Sequence, residues 1–239
     1  MAFGLFASTP ITTFFSLNMR LIRYIASRTS FLNAGYYSFL RDKLIEIFKE
    51  YNHETFVDLA CGEGYYTTGI HKALNCATYG VDISRSGINQ CCIRARSEGL
   101  ANINFCIGNL DYLPYMNESF NVALNCFAPI KEKEFVRVLK KNGIFVRVLP
   151  GRNHLLEMKN VLYEDTRLNE GKEEVINGFV LEDKIVIKNK AKLDNEQIKN
   201  LFSMTPYAFK TPKSSIEKLF KMDELDITFE FAIYVYRKD

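Results

Sequence analysis

From residue 36 onward the apolar positions alternate between two rhythms. Phe39, Leu40, Leu44, Ile47, Phe48 and Tyr51 recur at three- and four-residue spacing, which describes one face of a helix. Residues 55–60 (TFVDLA) form a short apolar run of the kind that makes a buried strand, and helical spacing resumes over Tyr65–Leu74. A second strand is expected at 78–83 (TYGVDI), followed by a helix over 87–97 with Ser84 as its cap. Further strands are expected at Ile103–Ile107, 120–124 (FNVAL) and 144–149 (IFVRVL). A helix is expected at 131–141, ended by Asn142-Gly143 in a left-handed turn. Strands alternating with helices argue a doubly wound, mostly parallel α/β sheet.

After Pro150 the rhythm changes. Residues 151–168 read as helical, 179–193 as strand, 194–203 as a capped helix, 214–220 as another helix and 227–236 (ITFEFAIYVY) as a long terminal strand. No Gly/Ser linker separates a second domain, so the tail is expected to complete the same sheet with an antiparallel pair. We therefore read 30–239 as one domain. Residues 1–29 read as an arm, because no charge occurs from Met1 to Met19 and no acid before Asp42, while Arg20, Arg23, Arg28 and Arg41 lie between. Interruption by Ser8, Thr9, Pro10, Thr12, Thr13 and Ser16 argues against a membrane span there. An acid-poor, Arg- and Ser-containing start fits an organellar transit peptide better than a secretory signal. A disordered or loosely docked arm is the plainer reading, and the cytoplasm the plainer compartment.

Composition narrows the function classes little. A net charge of +3, from 31 basic and 28 acidic residues, permits an acidic partner such as RNA without demanding one. The six cysteines (61, 76, 91, 92, 106, 126) show no C-x-x-C or zinc spacing, so reduced core thiols are expected and no metal site.

The informative stretch is Asp58-Leu59-Ala60-Cys61-Gly62-Glu63-Gly64-Tyr65, a strand end and small-residue turn directly before a helix. A P-loop is excluded because Gly-Lys-Ser/Thr is missing. A dinucleotide fingerprint is disfavoured because bulky Tyr65 stands where its third small residue belongs. Acid-x-small-x-Gly-x-Gly suits S-adenosyl-L-methionine, which carries an ammonium, a carboxylate, a ribose diol and a sulfonium but no phosphate. Asp58 suits the ammonium, and backbone N–H groups at the helix start suit the carboxylate. Asp82, closing the second strand, is placed for the ribose hydroxyls. Asn109 and Leu110, after the third strand, are placed for the adenine edge.

These features, with Leu139-Lys140-Lys141-Asn142-Gly143 before strand five, resemble class I S-adenosyl-L-methionine-dependent methyltransferases. After strand four, Asn125-Cys126-Phe127-Ala128-Pro129 keeps only the first residue of the Asn/Asp-Pro-Pro-Tyr motif of adenine amino-methyltransferases. The chain is more similar to the RlmA (RrmA) family of 23S rRNA (guanine-N1)-methyltransferases. The resemblance rests on Phe31-Leu32-Asn33-Ala34-Gly35-Tyr36-Tyr37, Asp58 to Tyr66, Ala128-Pro129, Gly151 to Lys159 around His154, and Met204-Thr205-Pro206-Tyr207-Ala208-Phe209.

The resemblance implies a seven-stranded Rossmann-like sheet with an antiparallel last strand, and methyl transfer to N1 of a guanine in 23S ribosomal RNA. It implies cofactor contacts from Tyr37, Ala60, Gly62, Glu63, Gly64, Asn125 and His154 beside Asp58 and Asp82. It names no catalytic base. The family begins with a zinc module of Cys and His, whereas this chain has no Cys before Cys61 and no His before His53. A small-molecule methyltransferase and a cofactor-binding protein without catalysis therefore stay open, as does the oligomeric state, a dimer included. Lys131, Lys133, Arg137, Lys140, Lys141, Arg147, Arg152 and Lys159 offer either an RNA-facing surface or an ordinary solvated face. Tyr207 and Phe209 offer either a stacking platform for a flipped guanine or core packing. His53 and His71 are expected at the surface.

Overall fold

A computed structural model of the protein describes residues 24–169 and 175–239. Helix α1 covers 24–33, continuous across the boundary expected at residue 30, and the rest of the expected arm lies outside the described residues. The elements that follow are α2 (Ser38–Lys49), β1 (Thr55–Leu59), α3 (Tyr65–Leu74), β2 (Ala77–Asp82), α4 (Arg85–Ser97), β3 (Ile103–Ile107), β4 (Phe120–Cys126), α5 (Glu132–Val138) and β5 (Leu139–Pro150). The second half adds α6 (Leu156–Leu162), β6 (Phe179–Asp194), α7 (Asn195–Ser203), α8 (Lys213–Phe220) and β7 (Glu224–Lys238).

Seven strands form one sheet in the order β3-β2-β1-β4-β5-β7-β6. Strands β1 to β5 run parallel, and β7 pairs antiparallel with both β5 and β6. Alternate residues of each strand feed opposite faces. Phe56, Val146 and Phe231 join a core under α2 and α3, while Val57, Phe145 and Tyr234 join a second core that includes Phe135 of α5. The strand order reverses between β1 and β4, so their carboxyl ends open the crevice where ligands bind in doubly wound sheets.

Local cap chemistry forms as expected: Ser84 Oγ accepts from the Gly87 N–H at 3.1 Å, and Asp194 Oδ1 accepts from the Gln197 N–H at 2.8 Å. Two helices are shorter than their periodicity suggests. Helix α5 stops at Val138 because Leu139 already pairs with Phe120 of β4. Asn142 takes the left-handed conformation (φ 58°), but inside the irregular start of β5 rather than at a helix end. Gly143 is required there, since a Cβ would stand 2.8 Å from the Lys140 carbonyl oxygen. Of the helix expected at 151–168, only Leu156–Leu162 is helical, because 151–155 fold into turns held against β7. His71 is buried rather than exposed, with Nδ1 2.9 Å from the Thr78 hydroxyl. Among the described residues, no helix is long and apolar enough to cross a membrane, and no cluster of three His, Cys, Asp or Glu side chains offers a metal site.

Candidate active site

The turn after β1 is built from alternating left-handed positions. Ala60 (φ 77°), Gly62 (φ 59°) and Gly64 (φ 80°) all have positive φ, which is strained for the alanine and free for the glycines. The N–H groups of Ala60 and Cys61 both donate to the Val81 carbonyl, tying the ends of β1 and β2 together at 2.9 and 3.0 Å. Asp82 then bridges two backbones: Oδ2 accepts from the Gly62 N–H at 2.9 Å and Oδ1 from the Ser84 N–H at 2.8 Å. Helix α4 closes on the turn from behind. Gly87 is so close that a Cβ would stand 2.6 Å from the Gly62 carbonyl oxygen, and the Cys91 thiol donates to that oxygen at 3.3 Å. The smallness of Gly64 makes room for Cys91, whose sulfur would be 3.0 Å from an added Cβ.

Around this turn sits a group of buried acceptors with unused capacity. Asp58 Oδ2 accepts from the Thr67 hydroxyl at 2.6 Å, but its Oδ1 has no partner among the described residues. Burial pushes the Asp58 carboxyl up to about 7, against the opposing effect of the Thr67 hydrogen bond. Asn125 Nδ2 donates to the Leu59 carbonyl at 3.0 Å, and among the described residues neither its Oδ1 nor Glu63 Oε1 has a partner. Three buried oxygens without donors among the described residues suit a ligand that brings cationic donors. A small-residue turn, an acid closing β2 and these acceptors fit S-adenosyl-L-methionine.

Sequence patterning did not single out Arg28. From α1 its Nε donates to Glu63 Oε2 at 2.6 Å, and it stands 3.8 Å from where a Gly62 Cβ would be. Burial alone would lower its pKa, but the Glu63 carboxylate raises it further still. Only its place in a run of arginines marked it in the sequence.

Beside Arg28 opens a cavity of about 440 Å³ at the carboxyl ends of β4 and β5. It is lined by Tyr24 and Arg28 of α1, Tyr37, Phe127 and Ala128 after β4, Leu149 and Pro150 at the end of β5, His154 and Leu155 after it, Asn169, and Met204 to Tyr207. Of the expected site residues, Tyr37 and His154 line it; Asp58, Ala60, Gly62, Glu63, Gly64 and Asp82 form the adjoining turn; Asn109, Leu110 and Asn125 are not in its wall. Asn109 is exposed, its Oδ1 accepting from the Asp111 N–H at 3.0 Å.

His154 is carried on a turn that β7 positions. Glu230 accepts from both the backbone and side chain of Asn153 at 3.0 Å, and its carbonyl accepts from the Gly151 N–H at 2.7 Å. Gly151 must be glycine, since a Cβ there would meet Glu230 Cγ at 2.6 Å. The Glu230 N–H donates to His154 Nδ1 at 3.3 Å, and His154 Nε2 lies 3.4 Å from the Tyr37 hydroxyl oxygen. Burial, and then the Lys159 ammonium, pull the His154 pKa down to about 3, so the ring is neutral.

The expected basic surface is smaller than its residue count. Arg147 and Lys159 are buried, Lys159 donating to Asn169 Oδ1 at 2.8 Å. Arg137 is paired with Glu134 at 2.7 Å and Lys131 with Asp111.

Similarities to known proteins agree with this geometry. Over 217 residues, 85% of this chain and 75% of the relative, the sequence is 28% identical to YxjB of Bacillus subtilis, provisionally named a 23S rRNA (guanine-N(1)-)-methyltransferase. It is 34% identical over 97 residues, 37% of this chain and 35% of the relative, to the phthiotriol/phenolphthiotriol dimycocerosates methyltransferase of Mycobacterium tuberculosis. The fold matches the YcgJ protein of Bacillus subtilis with a TM-score of 0.59 at 13% identity, covering 83% of this chain and 97% of that one. It matches geranyl diphosphate methyltransferase, solved with S-adenosyl-L-methionine, with a TM-score of 0.56 at 14% identity, covering 84% and 85%. The profile of the Methyltransferase domain family matches residues 51–208. With the turn after β1 and most of the sheet inside that match, the chain belongs to this methyltransferase family.

Proposed function

We propose that the protein methylates N1 of a guanine in 23S ribosomal RNA. The observation that carries this reading is the extent of similarity. The relative named for that reaction aligns with 85% of this chain, whereas the mycobacterial dimycocerosates methyltransferase aligns with 37%.

Bound S-adenosyl-L-methionine supplies a sulfonium methyl group that needs no further activation, so the protein's task is alignment. In this reading Asp82, already aligned by Gly62 and Ser84, accepts from the ribose hydroxyls. Asn109 and Leu110 border the adenine, and the first-turn N–H groups of α3 face the carboxylate. Asp58, Glu63 and Asn125 offer their unpaired oxygens to the cationic end. Tyr37 and His154 line the cavity beside Arg28. Phe127 and Tyr207 give the cavity aromatic walls on which a flat base stacks. Guanine N1 is hidden in a base pair, so the target is unpaired or flipped. His154 is not the base that takes its proton. Its Nδ1 is occupied by a backbone donor, and a neutral ring then carries its hydrogen on Nε2.

Labelled-methyl transfer to 23S rRNA, bulk RNA and a metabolite extract tests the proposal, followed by nucleoside mass spectrometry. The expected product is 1-methylguanosine. Transfer to the metabolite extract alone, or a different modified nucleoside, overturns it.

A further inference from the structure

The hydrogen-bond order through His154 determines what Tyr37 can do. A backbone N–H always donates, so the contact of the Glu230 N–H with Nδ1 requires that nitrogen to carry a lone pair. The opposite tautomer would set two donors against each other. The neutral ring therefore bears its hydrogen on Nε2, pointing at the Tyr37 oxygen 3.4 Å away. Tyr37 accepts that hydrogen, and its own O–H has no acceptor among the described residues. The ring is held in place by edge contacts with Phe31, Phe229 and Phe231, at centroid distances of 5.4, 5.2 and 4.9 Å. Tyr37 lines the cavity beside the Arg28 guanidinium, and among the described residues no carboxylate lines that cavity.

We propose that Tyr37 is a specificity residue. Set by His154 as a donor, its hydroxyl selects acceptor molecules that carry a carbonyl oxygen beside the atom to be methylated. The inference rests on the acceptor-site reading above and sharpens it. Guanine presents O6, an acceptor, next to N1; adenine presents an amine, a donor, at the same edge. A fixed donor hydrogen-bonds the first and meets a hydrogen of the second. His154 acts only through Tyr37 and is a positioning residue.

Three measurements test this. Nitrogen-15 NMR of the full chain is expected to show His154 protonated on Nε2 at neutral pH; protonation on Nδ1 overturns the inference. Binding of guanosine and adenosine monophosphates to protein loaded with S-adenosylhomocysteine is the second. The wild type is expected to favour the guanosine nucleotide, and Tyr37→Phe to lose about tenfold of that preference, the scale of one hydrogen bond to a substrate group. Equal binding of both nucleotides by the wild type, or an unchanged preference in Tyr37→Phe, overturns the inference. The third is calorimetric titration with S-adenosylhomocysteine. Tyr37→Phe is expected to bind it as the wild type does; a weakened affinity of Tyr37→Phe with unchanged nucleotide preference assigns the hydroxyl to the cofactor and overturns the inference. None of these needs turnover on ribosomal RNA. Absence of 1-methylguanosine therefore removes the proposed target while this inference is judged on its own results.

Discussion

Arg28 and Glu63 meet at 2.6 Å, one from α1 and the other from the turn after β1. The Glu63 side chain is 1% exposed, so the pair shuts a charge inside the protein beneath a helix that precedes the matched family domain. Removing one member of a buried pair leaves the other without compensation. Arg28→Ala is expected to cost about 3–5 kcal/mol. Adding Glu63→Gln to that variant should restore a large part of the loss, as read from urea midpoints of the single and double variants.

Gly87 touches the cofactor turn through space that no side chain can share, since its Cβ would sit 2.6 Å from the Gly62 oxygen. The atom that the added Cβ would meet belongs to backbone and cannot swing aside. Gly87→Ala is expected to push α4 off the turn, costing about 1–3 kcal/mol. Thermal melting measures the loss, and calorimetric titration with S-adenosyl-L-methionine should show weaker binding.

Asp82 accepts one hydrogen bond on each oxygen. In Asp82→Asn, one of those positions becomes an amide N–H₂ facing a backbone N–H. Affinity for S-adenosyl-L-methionine should fall about tenfold or more, equivalent to about 1.4 kcal/mol. Unchanged affinity would remove Asp82 from the site.

Two buried groups give opposing pH dependences. Asp58 titrates at about 7 in the fold, above its unfolded value near 3.9, so the folded state holds the extra proton between those values. Stability from this group falls as pH rises through that window. His154 titrates at about 3 in the fold, below its unfolded value near 6.5, so the unfolded state holds the extra proton. Stability from this group rises with pH between those values. In the wild type the two slopes offset each other from about pH 4 to 6.5. Asp58→Asn should therefore gain stability with rising pH there, and His154→Gln should lose it, as denaturant midpoints across the range will show.

The β1–α3 and β2–α4 units were legible because their signals are local: apolar runs of strand length, a small-residue turn, and Ser84 three residues before Gly87. The sequence also pointed to Asp58, Gly62 and Asp82 as one site, and they adjoin. What it hid depends on distant partners. The end of α5 is decided by Phe120 pairing with Leu139, the turns after Gly151 by Glu230, and the burial of His71 by Thr78. Arg28 was hidden for the same reason, since nothing within α1 indicates that Glu63 lies beneath it.

The grip of Asp82 on Gly62 and Ser84 has a thermodynamic corollary. Each of its oxygens has a second lone pair, so ribose hydroxyls can add to the existing bonds without breaking them. The loop's ordering entropy is spent during folding, and ligand capture then needs chiefly water displacement and rigid docking.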